Sequence, residues 1–278
     1  MKSEILKYLT VMWTIMIGFA NFIACGSQLY QVSVEEDFDE KTAIRSNPDM
    51  NDPDADFYGI HATDGWRSLP IQYQFGEDLN EEQRMHLSAA MRIWETAVGR
   101  SLFKITGIHE GTSGDEFNDL YSSLDDKVNG HYLDDNWEKT KKPNHVLATT
   151  IWHNGSNANV ISTADIRFNN SSYIIGDSLI NQATDDKEVV DMQSLALHEL
   201  GHLLGLAHVS EEVDPISIMN PTLFIGEGLI SRQLSEGDIE RIQKIYGCHG
   251  DACDVGSVLE ALGKREGQAL VDPLTSAH

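Results

Sequence analysis

Eleven consecutive residues hold the chemistry of this chain: His198-Glu199-Leu200-Gly201-His202-Leu203-Leu204-Gly205-Leu206-Ala207-His208. On an α-helix, residues four apart lie about 40° apart around the axis and about 6 Å along it. His198 and His202 therefore leave one face together and can each bring an imidazole nitrogen to ~2.0–2.1 Å from a single Zn²⁺. Glu199 points about 100° round from His198, beside such an ion rather than on it. A carboxylate there can take a proton from water activated by the metal. Gly205 lets the helix end and the chain reverse, so that His208 approaches from outside it as a third ligand. Three neutral nitrogens leave a fourth position for water, the arrangement of a catalytic rather than a structural zinc.

The spacing is specific. Shuffling a chain of this composition yields the bare His-Glu-x-x-His in roughly one sequence in thirty, whereas fixing Gly205 and His208 as well lowers that to about one in ten thousand. The surroundings suit a buried helix, with Met192, Leu195/Ala196, Leu200 and Leu203/Leu204 forming an apolar stripe. Asp186 or Asp191 begins it, and it runs through Leu204.

Other elements must hold that helix. Ile71, Tyr73 and Phe75 alternate with Gln72 and Gln74, which predicts a half-buried strand beginning near Leu69. Asn80 with Gln83 three residues on predicts a capped helix, with Leu87, Ala90, Ile93/Trp94 and Ala97 inward and Gly99 as its stop. Strands are predicted at 102–106, 146–152 and 160–168, and a short edge strand at 173–175. A last helix runs from its cap Ser235 along Ile239, Ile242 and Ile245/Tyr246 to Gly247. Residues 107–143, rich in Gly, Asp and Asn, read as loop, and 249–278 as a tail.

The eleven residues match the signature of the metzincin zinc proteases. Ser217-Ile218-Met219-Asn220-Pro221 resembles their Met-turn, which implies Met219 as an apolar floor beneath the zinc histidines. Leu234-Ser235-Glu236-Gly237-Asp238-Ile239 and Ile245-Tyr246-Gly247 resemble the closing helix of the matrixin branch, and Ala164-Asp165-Ile166-Arg167-Phe168 the strand before its active-site helix. The resemblance covers roughly residues 69–247. It implies an α+β fold: a twisted mixed sheet and two helices above, the Met-turn and C-terminal helix below, and a substrate cleft between. It also implies a zinc metalloendopeptidase with Glu199 as general base, and protein or peptide substrates lying extended along an upper edge strand. Tyr173, Ile174, Ile175 and Gly176 are the candidates for that edge. Pro221 to Ile225 would line the pocket after the scissile bond, where Pro221, Leu223 and Phe224 suggest an apolar side chain, or serve as ordinary loop anchors.

Three features depart from the matrixin pattern. Val209 follows the third histidine, where Ser is usual. His131, His145 and His153 lack the spacing of the structural-zinc loop, so one catalytic Zn²⁺ is expected; Ca²⁺ on the acidic loops is a further expectation. No Pro-Arg-Cys-Gly switch precedes the domain.

The N-terminus reads as an address. Lys2 and Lys7 precede an apolar run from Leu9 to Ala24, too short for a bilayer span. Phe22-Ile23-Ala24-Cys25 resembles the lipobox of bacterial lipoproteins, with Phe22 where Leu is usual. That implies removal of 1–24, lipidation of Cys25 and a membrane-anchored exported protein; ordinary cleavage after Ala24, or an uncleaved anchor, are the alternatives. The segment 25–66 is acidic and aperiodic and reads as an extended tether, the alternative being a folded pro-segment in which an acidic residue of 35–56 is the fourth zinc ligand; the catalytic domain is expected over 67–248. In an oxidising compartment Cys248 and Cys253 are expected to bridge, with two free thiols as the alternative.

Forty-four acidic against 20 basic residues, a formal −24 over 278 residues, argue against nucleic acid or an anionic membrane surface as partner. A monomer is expected, touching membrane only through the lipid. The rival from another class is a catalytically idle, zinc-containing binding or adhesion lipoprotein.

Overall fold

The computed structural model describes residues 63–111, 119, 122, 126–154 and 159–265, together with the backbone of 30–33. Cys25, residues 1–24, which the sequence reads as an export signal, and most of the acidic segment lie outside these residues. The first element is a short strand, β1 (Tyr30–Ser33), inside the stretch the sequence reads as solvated tether.

A five-stranded sheet carries the fold. Its strands are β2 (Ile71–Gly76), β3 (Phe103–His109), β4 (Gly130–Asp134), β5 (Ala148–Asn154) and β6 (Ile161–Asn169), in the order β3-β2-β4-β6-β5. All neighbours are parallel except β5, which runs antiparallel to β6 and forms one edge. Between β2 and β3 the chain crosses over through helix α1 (Glu81–Val98). Asn80 and Gln83 close its N-terminus reciprocally, each side chain accepting the other's backbone N–H at 2.9 Å.

Strand β4 lies where the sequence reads loop. Its five residues Gly-His-Tyr-Leu-Asp are buried on both faces, so no polar–apolar alternation marks them. What makes polar residues tolerable there is pairing. Arg167 of β6 donates to Asp134 of β4 at 2.5 and 2.9 Å, both side chains fully buried. Asp165 accepts the Gly130 N–H at 2.8 Å.

Two further strands, β7 (Ile174–Gly176) and β8 (Val189–Asp191), form a separate parallel pair. Helix α2 (Met192–Leu203) follows at once, capped by Asp191, whose carboxylate accepts the Ser194 N–H at 2.9 Å. Every residue of α2 is buried, as a helix enclosed by other elements requires. Trp94 of α1 donates its indole N–H to the Leu197 carbonyl at 2.9 Å, and Trp66 donates to the Leu203 carbonyl at 2.8 Å.

Below α2 come β9 (Thr222–Ile225), α3 (Glu236–Tyr246) with its capping box at Ser235 and Asp238, and α4 (Val255–Arg265). β9 pairs antiparallel with β1, from Tyr30 opposite Ile225 to Ser33 opposite Thr222. The region after 249 is therefore not a bare tail. Val255, Val258, Leu259 and Leu262 fall at helical spacing and pack on the core through a turn in which Cys248 and Cys253 are joined by a disulfide, Cα atoms 5.0 Å apart.

Candidate active site

Three imidazoles converge. The Nε2 atoms of His198 and His202 are 2.9 Å apart, those of His202 and His208 3.2 Å, and those of His208 and His198 3.3 Å. The first two come from successive turns of α2. The third arrives because the chain reverses at Gly205, whose φ of +105° suits glycine and whose missing Cβ leaves room for Thr63 and Gly65.

The outward nitrogens fix which ring atoms face the centre. His198 Nδ1 lies 2.7 Å from the Ile218 carbonyl and His202 Nδ1 lies 2.8 Å from the Leu206 carbonyl. A carbonyl only accepts, so each Nδ1 carries the proton and each Nε2 turns its lone pair inward. Lone pairs at such separations repel unless a cation lies between them. Tetrahedral ligands on zinc at ~2.0–2.1 Å stand about 3.3 Å apart, close to what is found. Burial, then the neighbouring His202 and His208, push His198 well below the ordinary histidine pKa, which keeps it in the neutral form a metal needs. These three histidines fit zinc. Among the described residues they are the one group of three or more ligating side chains able to hold an ion, and nothing there supports the calcium expectation.

Glu199 is fully buried next to the triad. Its Oε2 accepts a hydrogen bond of 2.6 Å from the Thr150 hydroxyl of β5. Sequence reading passed over Thr150. The available signal was a lone hydroxyl between Ala148 and Trp152 on one face of a predicted strand.

Met219 is fully buried and so close to Gly201 of α2 that a Cβ on that glycine would collide with Met219 Sδ. The turn carrying it is held from below. Asp238, first turn of α3, accepts from Ser217 Oγ at 2.5 Å and from the Ile218 N–H at 2.9 Å, and Arg241 bonds Asp238 and Asp214 at 2.7 Å each. Ile218 thus links the closing helix to His198 through its own peptide groups. Val209 is buried in the core and donates its N–H to the Met219 carbonyl at 2.9 Å.

The substrate-side candidates are placed differently from the sequence reading. Ile174–Gly176 belong to β7, paired with β8 and tied to α1 by the Gln83 amide donating to the Ile175 carbonyl at 2.8 Å. The sheet edge that meets Glu199 is β5 instead. A three-residue apolar stretch looks like an edge strand in sequence, but only pairing decides which sheet it joins. Leu223 and Phe224 alternate on β9, Leu223 buried in the core and Phe224 50% exposed, so they diverge rather than share one pocket; Pro221 is half-buried.

Residues 116–247 match the Matrixin family. The chain is 47% identical over 60 residues to Metalloendoproteinase 2-MMP of Arabidopsis thaliana, 22% of this chain and 15% of that protein. It is 48% identical over 59 residues to Metalloendoproteinase 5-MMP of the same plant, 21% of this chain and again 15% of the relative. To Matrilysin of Homo sapiens it is 48% identical over 52 residues, 19% of this chain and 18% of the human protein. The shared segment thus spans less than a fifth of the length of each of these three relatives. On the family match and the fold that carries it, residues 116–247 of this chain form a matrixin domain.

Proposed function

We propose that this chain is a zinc-dependent metalloendopeptidase, and the observation that carries the reading is the convergence of three Nε2 atoms within 3.3 Å beside a buried carboxylate. Bound there, zinc supplies Lewis acidity and makes water a nucleophile near neutral pH. His198, His202 and His208 would hold it. The Glu199 carboxylate takes up the proton released as water attacks the scissile carbonyl, then returns it to the leaving amine nitrogen. No side chain becomes covalently attached to substrate. A zinc-holding protein used only for binding would have no need of a buried acid at that position.

The substrate we infer is an extended peptide. β5 ends its sheet, and among the described residues no strand pairs with its outer edge, so its backbone groups can add a peptide strand. The relatives' names, two metalloendoproteinases and a matrilysin, support the same activity class. We also infer an exported protein held to a membrane by lipid on Cys25, with a protein or peptide substrate and no nucleic-acid partner. No described helix is long and apolar enough to cross a membrane. Cys25→Ala should release the protein from the membrane fraction; partition as before would remove the anchor.

Hydrolysis of an unstructured protein by the purified chain tests the activity. It should stop on chelation and return with stoichiometric zinc. Cleavage that survives complete removal of metal would refute the proposal.

A further inference from the structure

The face that β5 turns to α2 carries one hydroxyl among apolar groups. Ala148, Thr150 and Trp152 are alternate strand residues and share that face. Ala148 and Trp152 belong to the hydrophobic core, and Thr150 is fully buried. Packing alone would favour valine there, which has nearly the same shape and no polar group, since an unpaired buried hydroxyl is destabilising. The hydroxyl is satisfied by a single residue: Thr150 Oγ1 lies 2.6 Å from Glu199 Oε2 and 3.1 Å from the Glu199 carbonyl oxygen. Its one proton goes to the carboxylate oxygen, the nearer of the two acceptors.

A glutamate has three rotatable side-chain bonds, and placing its carboxylate beside the metal requires all three to be fixed. We propose that Thr150 is a positioning residue for Glu199: its hydroxyl holds one carboxylate oxygen and so selects the rotamer from which the acid exchanges the proton of the attacking water. The proposal rests on the peptidase reading above. Thr150 acts through Glu199, to which its hydroxyl bonds. It belongs to the edge strand along which the peptide is inferred to lie, so the base is aligned by the same element that aligns the substrate.

The test uses the full chain with Thr150→Val, Thr150→Ser and Glu199→Ala. Valine keeps the shape and removes the hydroxyl; serine keeps the hydroxyl and removes the methyl. Thr150→Val should bind one zinc per chain and lower kcat on a fluorogenic peptide about tenfold with KM changed less than about twofold, the pattern of a loss felt only in the transition state. Thr150→Ser should recover kcat to within about threefold of the parent. Independently of turnover, a crystal structure of Thr150→Val should show the Glu199 carboxylate in a changed or divided rotamer. The proposal is overturned if Thr150→Val keeps kcat within about twofold, or if serine loses as much as valine, which would mark a packing effect. Should the parent cleave nothing, or Glu199→Ala remain fully active, the peptidase reading fails, and the rotamer comparison alone decides the positioning.

Discussion

Glycine 201 shows how closely single residues are matched around the metal site. In an ordinary helix interior Gly→Ala gains about 0.8–1 kcal/mol. Here the added Cβ would meet Met219 Sδ, and overpacking a core costs typically about 1–3 kcal/mol. Gly201→Ala should therefore destabilise the chain by about 1 kcal/mol net, and weaken zinc in a chelator competition as the floor shifts. A rise in melting temperature would show that the contact yields freely. The clustering of the histidines was legible in the sequence, because helical periodicity alone puts His198 and His202 together. What sequence could not supply was their outward anchoring, on the Ile218 and Leu206 carbonyls, or Thr150 against Glu199, since these partners are separated by 4, 20 and 49 residues and depend on tertiary packing.

At the scale of elements, strand β4 decides whether the sheet is continuous, and a buried ion pair secures it. Removing one partner of such a pair leaves an uncompensated charge, a loss of about 3–5 kcal/mol. Asp134→Ala should show that loss in urea unfolding, while Asp134→Leu combined with Arg167→Met should recover most of it. A single variant as stable as the parent would mean that water already reaches Arg167. The capped helices α1 and α3 and the strand β6 were legible because caps and alternation are local. β4 and α4 were not. β4 is short and covered on both faces, and the apolar positions of α4 become meaningful only once α1 and the Cys248–Cys253 turn offer a surface for them. Which sheet Ile174–Gly176 joins was not legible either: pairing sets them with β8, apart from the five-stranded sheet that β5 edges.

Over the whole molecule, pH acts on stability through a buried histidine remote in sequence from the metal ligands. His131 is fully enclosed, its ring 4.6 Å from Tyr73 and stacked on Phe168 at 6.0 Å. Burial, with a smaller contribution from His109, pushes it down to about 3. Between pH 6.5 and 3 the unfolded chain binds a proton that the folded chain refuses, so stability falls as pH falls through that window, by up to about 1.4 kcal/mol per pH unit. His131→Phe should flatten the difference in urea stability between pH 6.5 and 5 relative to the parent. Equal slopes would mean that His131 takes up its proton while folded. The net charge of −24 acts at longer range: peptides flanked by Asp should be cleaved more slowly than those flanked by Lys, and raising salt toward about 1 M, where the Debye length is about 3 Å, should erase the difference. A gap that persists would place the selectivity in direct contacts.

In the proposed function three histidines hold the metal and one carboxylate only moves protons, and one measurement separates those roles. Zinc content and turnover of Glu199→Ala, determined on the same preparation, should give one zinc per chain with hydrolysis reduced nearly to background. A variant that turns over like the parent, or a parent chain that binds no zinc, would contradict the account.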